Sequence, residues 1–432
     1  MPENSDGDIS LVTAPPYDVI SSEAQRAFYA NHPANVVRLI LNQPEKEDSA
    51  QYNPYTRATE FLKQWVREGT LKTDPQPAVY AYHQQWTMPN GQPITRKGVI
   101  ALLALEPYDS GVVLPHENII PKYVNDRLTL IQHCQTNLSP IFMIYEDPER
   151  WLENNLLENP STGTHGTPTV FAEDEGAVTH QLWVVDNPQK IQALQQRLLK
   201  ESLLIADGHH RYETALAYQR FVREAYQKAH GQVAVPGSLK SDYIMVFLAN
   251  MSDPGLLVEP THRLFRQWPE TVAAQWSTET LLQALEQDYQ LIHSPAPNAS
   301  GDLSMTLHLP AQNPIGLRLK TTERMADPHF WGHRIPEPMR WLDVALLDTG
   351  LIQHHWKTTA SDLKNAELMR FYQSREELRY YLDGQKAVCG FEMNTPVLSA
   401  IKAVCQAGHR MPQKSTYFYP KIRSGLVFYS YI

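Results

Sequence analysis

Five consecutive residues, Asp207-Gly208-His209-His210-Arg211, have the side chains of a phosphate-binding turn. Arginine can hold two phosphate oxygens through parallel N–H groups, and glycine lets the backbone approach an anion closely. Asp207 is expected either to cap a helix or to bind Mg²⁺ through water. One histidine is expected to donate to phosphate or to transfer a proton. Because neighbouring side chains point in different directions, the two histidines are not expected to share one metal.

The flanking sequence predicts the elements that position this turn. Residues 202–206 form a short apolar run typical of a buried strand, and apolar residues recur at helical spacing over 212–229. A helix that starts directly after a strand presents its first amide hydrogens and the positive end of its dipole at the edge of the sheet. The sequence therefore predicts an anion site here. The alternative is an ordinary capped helix with hydrogen-bonded histidines.

Asp18 is the second candidate because it follows two prolines, Pro15 and Pro16, in a stiff loop. A carboxylate held by a rigid backbone can act as a general base or bind a metal. The structural alternative is a turn or capping aspartate. A helix is predicted directly after this loop, from 22 to about 30, with a serine as its N-cap.

Three further polar clusters are candidates for the same kind of chemistry. The segment 114–127 is dense in charge, and its end is predicted to open a helix; the alternative is solvated surface charge. The segment 259–263 follows an apolar run and is predicted to lie at a strand end, in one cleft with the 207–211 turn. The segment 411–421 supplies a second anion contact or packs a terminal strand. The candidates in these clusters are His116, Glu117, Asp126, Arg127, Glu259, His262, Arg263 and Lys414.

The remaining pattern predicts an α+β (mixed α/β) fold with many short elements, since 32 prolines are spread through the chain. The predicted domain boundary lies near residue 238 and gives an N-terminal region, 1–238, and a C-terminal region, 239–432. Further helices are predicted over 54–68, 278–289, 361–365 and 375–383. Further strands are predicted over 35–41, 79–86, 95–106, 139–145, 181–185, 243–249, 303–309 and 387–392.

Composition limits the function classes. The chain has 432 residues and a net charge of −9, which disfavours non-specific binding to nucleic acid. A chain of this size buries about three quarters of its extended surface, so it needs no disulfide or metal to hold a core. Three cysteines indicate reduced thiols, and no zinc, haem or flavin is expected. The longest apolar run, Val99–Leu105, and the polar segment 1–10 predict a cytoplasmic protein without a membrane span.

Several motifs together resemble the family called domain of unknown function 1015. They occur in order from residue 14 to residue 421, so the resemblance covers nearly the whole chain. The chain has neither a Walker-type glycine loop nor a dinucleotide glycine fingerprint. The matching segments are 14–20, 35–39, 114–117, 126–128, 137–142, 205–213, 258–263 and 411–421.

The turn at 207–211 also resembles the phosphate-binding turn of the ParB/sulfiredoxin fold and that of an archaeal free-serine kinase. The resemblance implies a ParB/sulfiredoxin-like mixed-sheet core on which a C-terminal α+β region packs. It also implies transfer of a phosphoryl group from ADP or ATP, with Mg²⁺, to a small hydroxyl metabolite such as free serine. Asp18 would be the base by position. The alternatives are a nucleotide-binding regulatory protein without turnover and a phosphohydrolase.

Overall fold

The computed structural model describes residues 8–118, 121–158, 170–295, 304–365, 367–384 and 386–432. The polar segment 1–10 was used to predict a cytoplasmic protein, and its residues 1–7 lie outside these ranges. The strands are β1 (Val79–Thr87), β2 (Pro93–Ala104), β3 (Val113–Leu114), β4 (Thr136–Asn137), β5 (Ile141–Tyr145), β6 (Val170–Glu173), β7 (Thr179–Val185), β8 (Leu203–Asp207), β9 (Tyr243–Asn250), β10 (Leu257–Glu259), β11 (His262–Phe265), β12 (Tyr289–His293), β13 (Met305–His308), β14 (Ile315–Leu319), β15 (Met369–Tyr372), β16 (Cys389–Glu392), β17 (Tyr417–Tyr419) and β18 (Tyr429–Ser430).

The described helices and strands are many and mostly short, as the proline pattern predicts. The α-helices follow. They are α1 (Ser22–Asn31), α2 (Val37–Ile40), α3 (Pro54–Arg67), α4 (Pro121–Cys134), α5 (Pro188–Leu198), α6 (His209–His230), α7 (Thr278–Asp288), α8 (Thr321–Ala326), α9 (Asp343–Leu346), α10 (Ala360–Asn365), α11 (Arg375–Asp383) and α12 (Leu398–Gln406). Two π-helical segments, Glu153–Leu157 and Leu347–His355, and several short 3₁₀ turns complete the described elements.

The chain divides into two compact units. Unit 1 contains residues 1–114, 119–257 and 420–432, and unit 2 contains residues 115–118 and 258–419. The boundary predicted near residue 238 falls inside unit 1, between α6 and β9. The division of function between regions 1–238 and 239–432 stays a prediction.

Unit 1 is built on a mixed sheet, which confirms the predicted α+β class. Among the described residues this sheet has eight strands in the order β3-β8-β5-β9-β2-β1-β7-β6. The β3–β8 and β5–β9 pairs are parallel, and the other neighbours are antiparallel. Buried side chains of β5, β8 and β9 pack against Tyr212, Ala215 and Leu216 of α6. The start of α6 is thereby fixed to the end of β8.

The predicted strand over 35–41 is wrong, because this segment forms the short helix α2. The Asn35 side chain accepts a hydrogen bond from the Val37 amide at 2.9 Å, and its amide group donates to the carbonyls of Leu11 and Thr13. An asparagine side chain that accepts from the amide two residues later favours a turn over an extended strand. Val37, Leu39 and Ile40 are all buried. Apolar runs this short do not by themselves distinguish a strand from a helix.

Unit 2 contains a second, smaller sheet. Its six described strands run in the order β12-β14-β13-β16-β11-β15, and their pairings are antiparallel. Leu264 of β11 packs with Leu378 and Leu382 of α11, since these two helical positions are four residues apart on one face. The helices and strands predicted over 278–289, 361–365, 375–383 and 387–392 are confirmed within a few residues.

Within the described ranges, no helix is long and apolar enough to cross a bilayer.

Replacing Gly98 by alanine is expected to destabilise unit 1. Gly98 lies in β2 at its contact with β9, and a Cβ atom there would lie 2.4 Å from the Leu248 carbonyl oxygen and from the Phe247 ring. Overpacking of this kind costs about 1–3 kcal/mol. Urea unfolding measures the loss. The control is Gly91→Asn in the same hairpin, where φ is +82° and the added Cβ meets nothing within 4 Å. Equal stability of both variants would contradict the prediction.

Candidate active site

The turn between β8 and α6 brings a carboxylate, a glycine and the start of a long helix together. β8 ends at Asp207, and Gly208 is the N-cap with a φ of +99°, a left-handed conformation that favours glycine. The helix begins at His209, three residues earlier than predicted, so both histidines and Arg211 lie in its first turn. Asp207 is not the N-cap, contrary to the first of its two predicted roles. A glycine N-cap has no side chain that can accept from the first amides of the helix.

The Asp207 carboxylate joins two cations. Arg211 Nη2 donates to Oδ2 at 2.7 Å, and Lys421 Nζ donates to Oδ1 at 2.6 Å. The three side chains are 12–16% exposed, so the cluster is shielded from bulk water but can be reached from it. Charge-assisted bonds in such a setting are stronger than those on an open surface.

Arg211 lies directly over Gly208. Its Nη1 donates to the carbonyl of Pro140, which precedes β5. A Cβ atom on residue 208 would lie 2.9 Å from Arg211 Nη2. The left-handed backbone conformation favours glycine here, and a methyl group on residue 208 would force the guanidinium to shift.

Lys421 is held through its backbone by two buried side chains of the β1–β2 hairpin. Gln84 Nε2 donates to the Lys421 carbonyl at 2.9 Å, and Arg96 donates to the Pro420 carbonyl and to Gln84 Oε1. Arg96 is fully buried, and burial lowers its pKa to about 10, although Tyr82, Asp253 and Asp207 oppose that shift. Gln84 and Arg96 were not among the predicted site residues, whereas Lys421 belongs to the segment 411–421, for which a second anion contact was one of the two predictions. Gln84 pairs with Arg96 in a polar part of the hairpin, between the pairs His83–Lys97 and Gln85–Thr95, so the sequence pattern alone does not single it out.

The two histidines differ in burial. His209 is buried and His210 is half-buried. The His210 carbonyl accepts a hydrogen bond from the Thr214 hydroxyl at 2.7 Å, which is ordinary helical chemistry. Their roles in phosphate binding or proton transfer stay predictions.

Asp18 lies in an exposed 3₁₀ turn, Tyr17–Val19, that is electrostatically linked to Arg211. Burial raises the pKa of Tyr17, the charges of Arg127 and Arg211 lower it, and Asp18 raises it further. The Arg127 guanidinium stacks over the Tyr17 ring at 4.2 Å. Tyr17 therefore lies within electrostatic range of both arginines. Asp18 as a base stays a prediction.

Asp126 and Arg127 lie within α4, not at its start as predicted. Asp126 accepts from the Tyr55 hydroxyl at 2.8 Å and from Arg127 Nε at 2.7 Å. Arg127 also donates to the Ile40 carbonyl at 2.6 Å. These contacts link α2, α3 and α4, so Asp126 and Arg127 have a structural role in holding the three helices together.

In unit 2, His116 and Glu117 are held by the segment 411–416. The His116 Nε2 atom lies 2.8 Å from the Thr416 hydroxyl, and Glu117 accepts from the Ser415 amide at 3.1 Å. His116 is buried. The adjacent aromatic residues form β17, in which Phe418 is fully buried, as the strand-packing alternative for this segment predicts.

The segment 259–263 lies at a strand end, as predicted, and His262 and Arg263 are the first two residues of the next strand, β11. His262 Nδ1 accepts from the Met393 amide at 3.1 Å. Arg263 donates to the backbone carbonyls of Thr261, Gln413 and Lys414, and burial lowers its pKa to about 10. Glu259 ends the preceding strand, β10. The clearest role of His262 and Arg263 is to hold backbone within unit 2, and a phosphate contact for them stays a prediction.

The predicted Mg²⁺ role of Asp207 does not fit its contacts. Both carboxylate oxygens accept from cationic donors, and a metal bound there would have to displace or repel Lys421 and Arg211. Among the residues that the structure describes, no group of three or more metal-ligating side chains is placed to hold an ion. We therefore derive no step through a metal at Asp207.

The family model described as "Protein of unknown function (DUF1015)" matches residues 1–345, which is most of the chain and includes the whole 207–211 turn. The chain belongs to this family. The predicted membership is thereby confirmed, and the resembling segment at 411–421 lies beyond the matched range. No curated protein sequence matches the chain significantly.

Among solved structures, the chain is similar to free serine kinase in complex with AMP, with 10% identity, 74% of this chain and 86% of that chain covered, and a TM-score of 0.35. A conserved hypothetical protein from Pyrococcus furiosus has 11% identity, 75% and 92% coverage, and a TM-score of 0.35. SbnI with a C-terminal truncation, from Staphylococcus aureus, has 11% identity, 74% and 84% coverage, and a TM-score of 0.36. At these values the similarity carries no functional inference for this DUF1015 member.

Stability is expected to fall as pH decreases from about 6.5 to about 4, partly because of His262. Burial lowers the pKa of His262 to about 4, although Glu392 opposes the shift. Between about pH 4 and 6.5 the unfolded chain binds a proton that the folded chain does not. Each pH unit in this window therefore costs up to about 1.4 kcal/mol of unfolding free energy. Denaturant unfolding at several pH values should show a shallower slope for His262→Asn, whose amide oxygen can replace Nδ1 as acceptor. His133→Asn, at an exposed position, is the control; equal slopes for wild type and His262→Asn would refute this.

Proposed function

We propose that this protein binds the phosphate groups of ADP or ATP at the turn between β8 and α6. There it transfers a phosphoryl group to a small hydroxyl metabolite, with free serine as one candidate. The nucleotide and the acceptor class come from the resemblance of the 207–211 turn to phosphate-binding turns. The geometry of the turn supports the phosphate part of the proposal.

One observation carries the proposal: Arg211 is fixed over Gly208 at the start of α6. Asp207 and the Pro140 carbonyl hold the guanidinium, and α6, with 22 residues, contributes its positive end at the same place. A phosphate group at this turn would meet a guanidinium, the start of a helix and a glycine without a side chain. These are the features of recurrent phosphate sites.

In the transfer step, the acceptor oxygen forms a bond to phosphorus while the bond from phosphorus to the leaving phosphate oxygen breaks. The hydroxyl proton passes to a base, for which Asp18 is the candidate. Catalysis of this kind depends mainly on positioning and on neutralising charge at the transferring group. His209, His210 and Arg211 begin α6 and are the residues that we propose for this role.

The two alternatives use the same phosphate site. A regulatory protein would bind nucleotide without turnover, and a phosphohydrolase would use water as the acceptor. Product analysis separates the three. The transferase gives a phosphorylated acceptor, the hydrolase releases inorganic phosphate without any acceptor, and the regulatory protein gives neither product.

Saturating ADP or ATP is expected to stabilise the wild-type protein by about 2.7 kcal/mol at a hundred times the dissociation constant. Arg211→Ala should abolish this stabilisation, because it removes the guanidinium that faces the phosphate. Thermal unfolding with and without nucleotide, each with and without Mg²⁺, measures the effect. Arg220→Ala is the matched control, since Arg220 is an exposed residue of the same helix. If neither nucleotide shifts the wild-type transition, the proposed function is wrong.

Gly208→Ala is expected to weaken nucleotide binding, whereas Gly231→Ala is not. Both glycines flank α6 in left-handed conformations, with φ of +99° and +70°, so each alanine costs roughly 1–2 kcal/mol of stability. Only at residue 208 does the added methyl group meet Arg211; at residue 231 it meets nothing within 4 Å. Calorimetric titration with ADP compares the two variants. Similar affinities in both would show that the position of Arg211 over Gly208 does not matter for binding.

A further inference from the structure

Lys421 reaches the candidate site from the end of the chain, more than 200 positions after Asp207 in sequence. Its ammonium group contacts the same carboxylate as Arg211, on the opposite oxygen. We propose that Lys421 is a second phosphate-binding cation, which acts together with Arg211 on the phosphate groups of the nucleotide. This inference rests on the proposed function, since it names a further residue of the same site.

Two cations contact Asp207 and a third acts on it from a distance. Arg211 and Lys421 both contact Asp207, and the buried Arg96 lies within the electrostatic range of the same carboxylate. Asp253 also acts on Arg96. Cations shielded from water are normally balanced by negative charge. A phosphate group bound beside Arg211 and Lys421 would add negative charge to this cluster.

The position of Lys421 is fixed before any ligand binds. Gln84 holds the carbonyl of Lys421, and Arg96 holds the carbonyl of Pro420. Gln84 and Arg96 are 0% exposed and pair across the β1–β2 hairpin. A long lysine side chain normally loses much rotamer freedom on binding a ligand. Here the backbone is anchored at two successive carbonyls, and the ammonium group is held by Asp207, so part of that loss has already occurred.

The Asp207 carboxylate orients both cations. Arg211 Nη2 donates to one of its oxygens and Lys421 Nζ to the other, so the two positive groups lie beside the same carboxylate. In the proposed site, Asp207 would keep both groups in place while phosphate oxygens bind. Arginine suits two oxygens at once, whereas lysine acts as a mobile point charge. The pair suits a group whose charge shifts between oxygens, as it does in phosphoryl transfer.

Lys421→Met is expected to lower the affinity for ADP and for inorganic pyrophosphate at least about tenfold, the usual effect of losing a charge-assisted hydrogen bond. Lys421→Arg should restore most of the affinity, because it restores the charge. The loss should shrink as salt is raised, since screening weakens the contribution of the cation. Calorimetric titration at two salt concentrations measures all three proteins. Lys228→Met, at the exposed end of α6, is the control.

The outcomes separate this inference from the proposed function. If wild type binds neither ADP nor pyrophosphate, the proposed function fails and the role of Lys421 fails with it. If wild type binds them and Lys421→Met binds them equally well, only the role of Lys421 is refuted. A purely structural ion pair would lower the unfolding temperature of Lys421→Met and leave the affinity and its salt dependence unchanged; that result also refutes the inference. Restored affinity in Lys421→Arg would attribute the loss in the methionine variant to the missing charge.

Discussion

Asp207 stands at the end of a buried strand with Arg211 on one carboxylate oxygen and Lys421 on the other. A carboxylate so placed cannot face a phosphate directly, because like charges repel. Its effect is to fix the direction of two cations that otherwise have long, mobile side chains. In the proposed site, Asp207 would therefore orient the two cations without itself binding the phosphate. For the same reason Asp207 is a poor ligand for Mg²⁺ while both cations remain in place.

The sheet of unit 1 explains why these residues meet. β8 and β5 are antiparallel, so the end of β8 lies beside the start of β5, and the Pro140 carbonyl comes within reach of Arg211. The register shifts between Phe142 and Met143, opposite the end of β8, and such a bulge re-aims the side chains next to it. The Arg96 guanidinium stacks over the Phe142 ring at 4.6 Å. The irregularity in β5 therefore lies beside the candidate turn at 207–211 and beside Arg96, one of the two residues that hold the backbone at Lys421.

The local part of this arrangement could be predicted from the sequence, and the distant part could not. The strand, the glycine and the helix follow one another at 203–230. A short apolar run predicts the strand, and apolar residues at helical spacing predict the helix. The contact of Lys421 with Asp207 depends on a hairpin more than 300 residues earlier, and no local pattern reports it. The same limit explains the error at Asn35, where bonds to Leu11 and Thr13 decide between helix and strand. Arg263 was a candidate because it belongs to a polar segment that follows an apolar run. In the structure it donates to the carbonyls of residues 413 and 414.

Two arginines of this chain show what distinguishes a binding group from a structural one. Arg263 is fully buried and donates to three backbone carbonyls, so its donors are used to hold a loop. Arg211 is partly accessible, lies at the start of a long helix and is held by a carboxylate and one carbonyl. The Arg263 guanidinium stabilises the fold. The Arg211 guanidinium is held in one orientation at the positive end of a helix dipole. Accessibility combined with orientation, and not the presence of a positive charge, makes the turn after β8 the better candidate for binding phosphate.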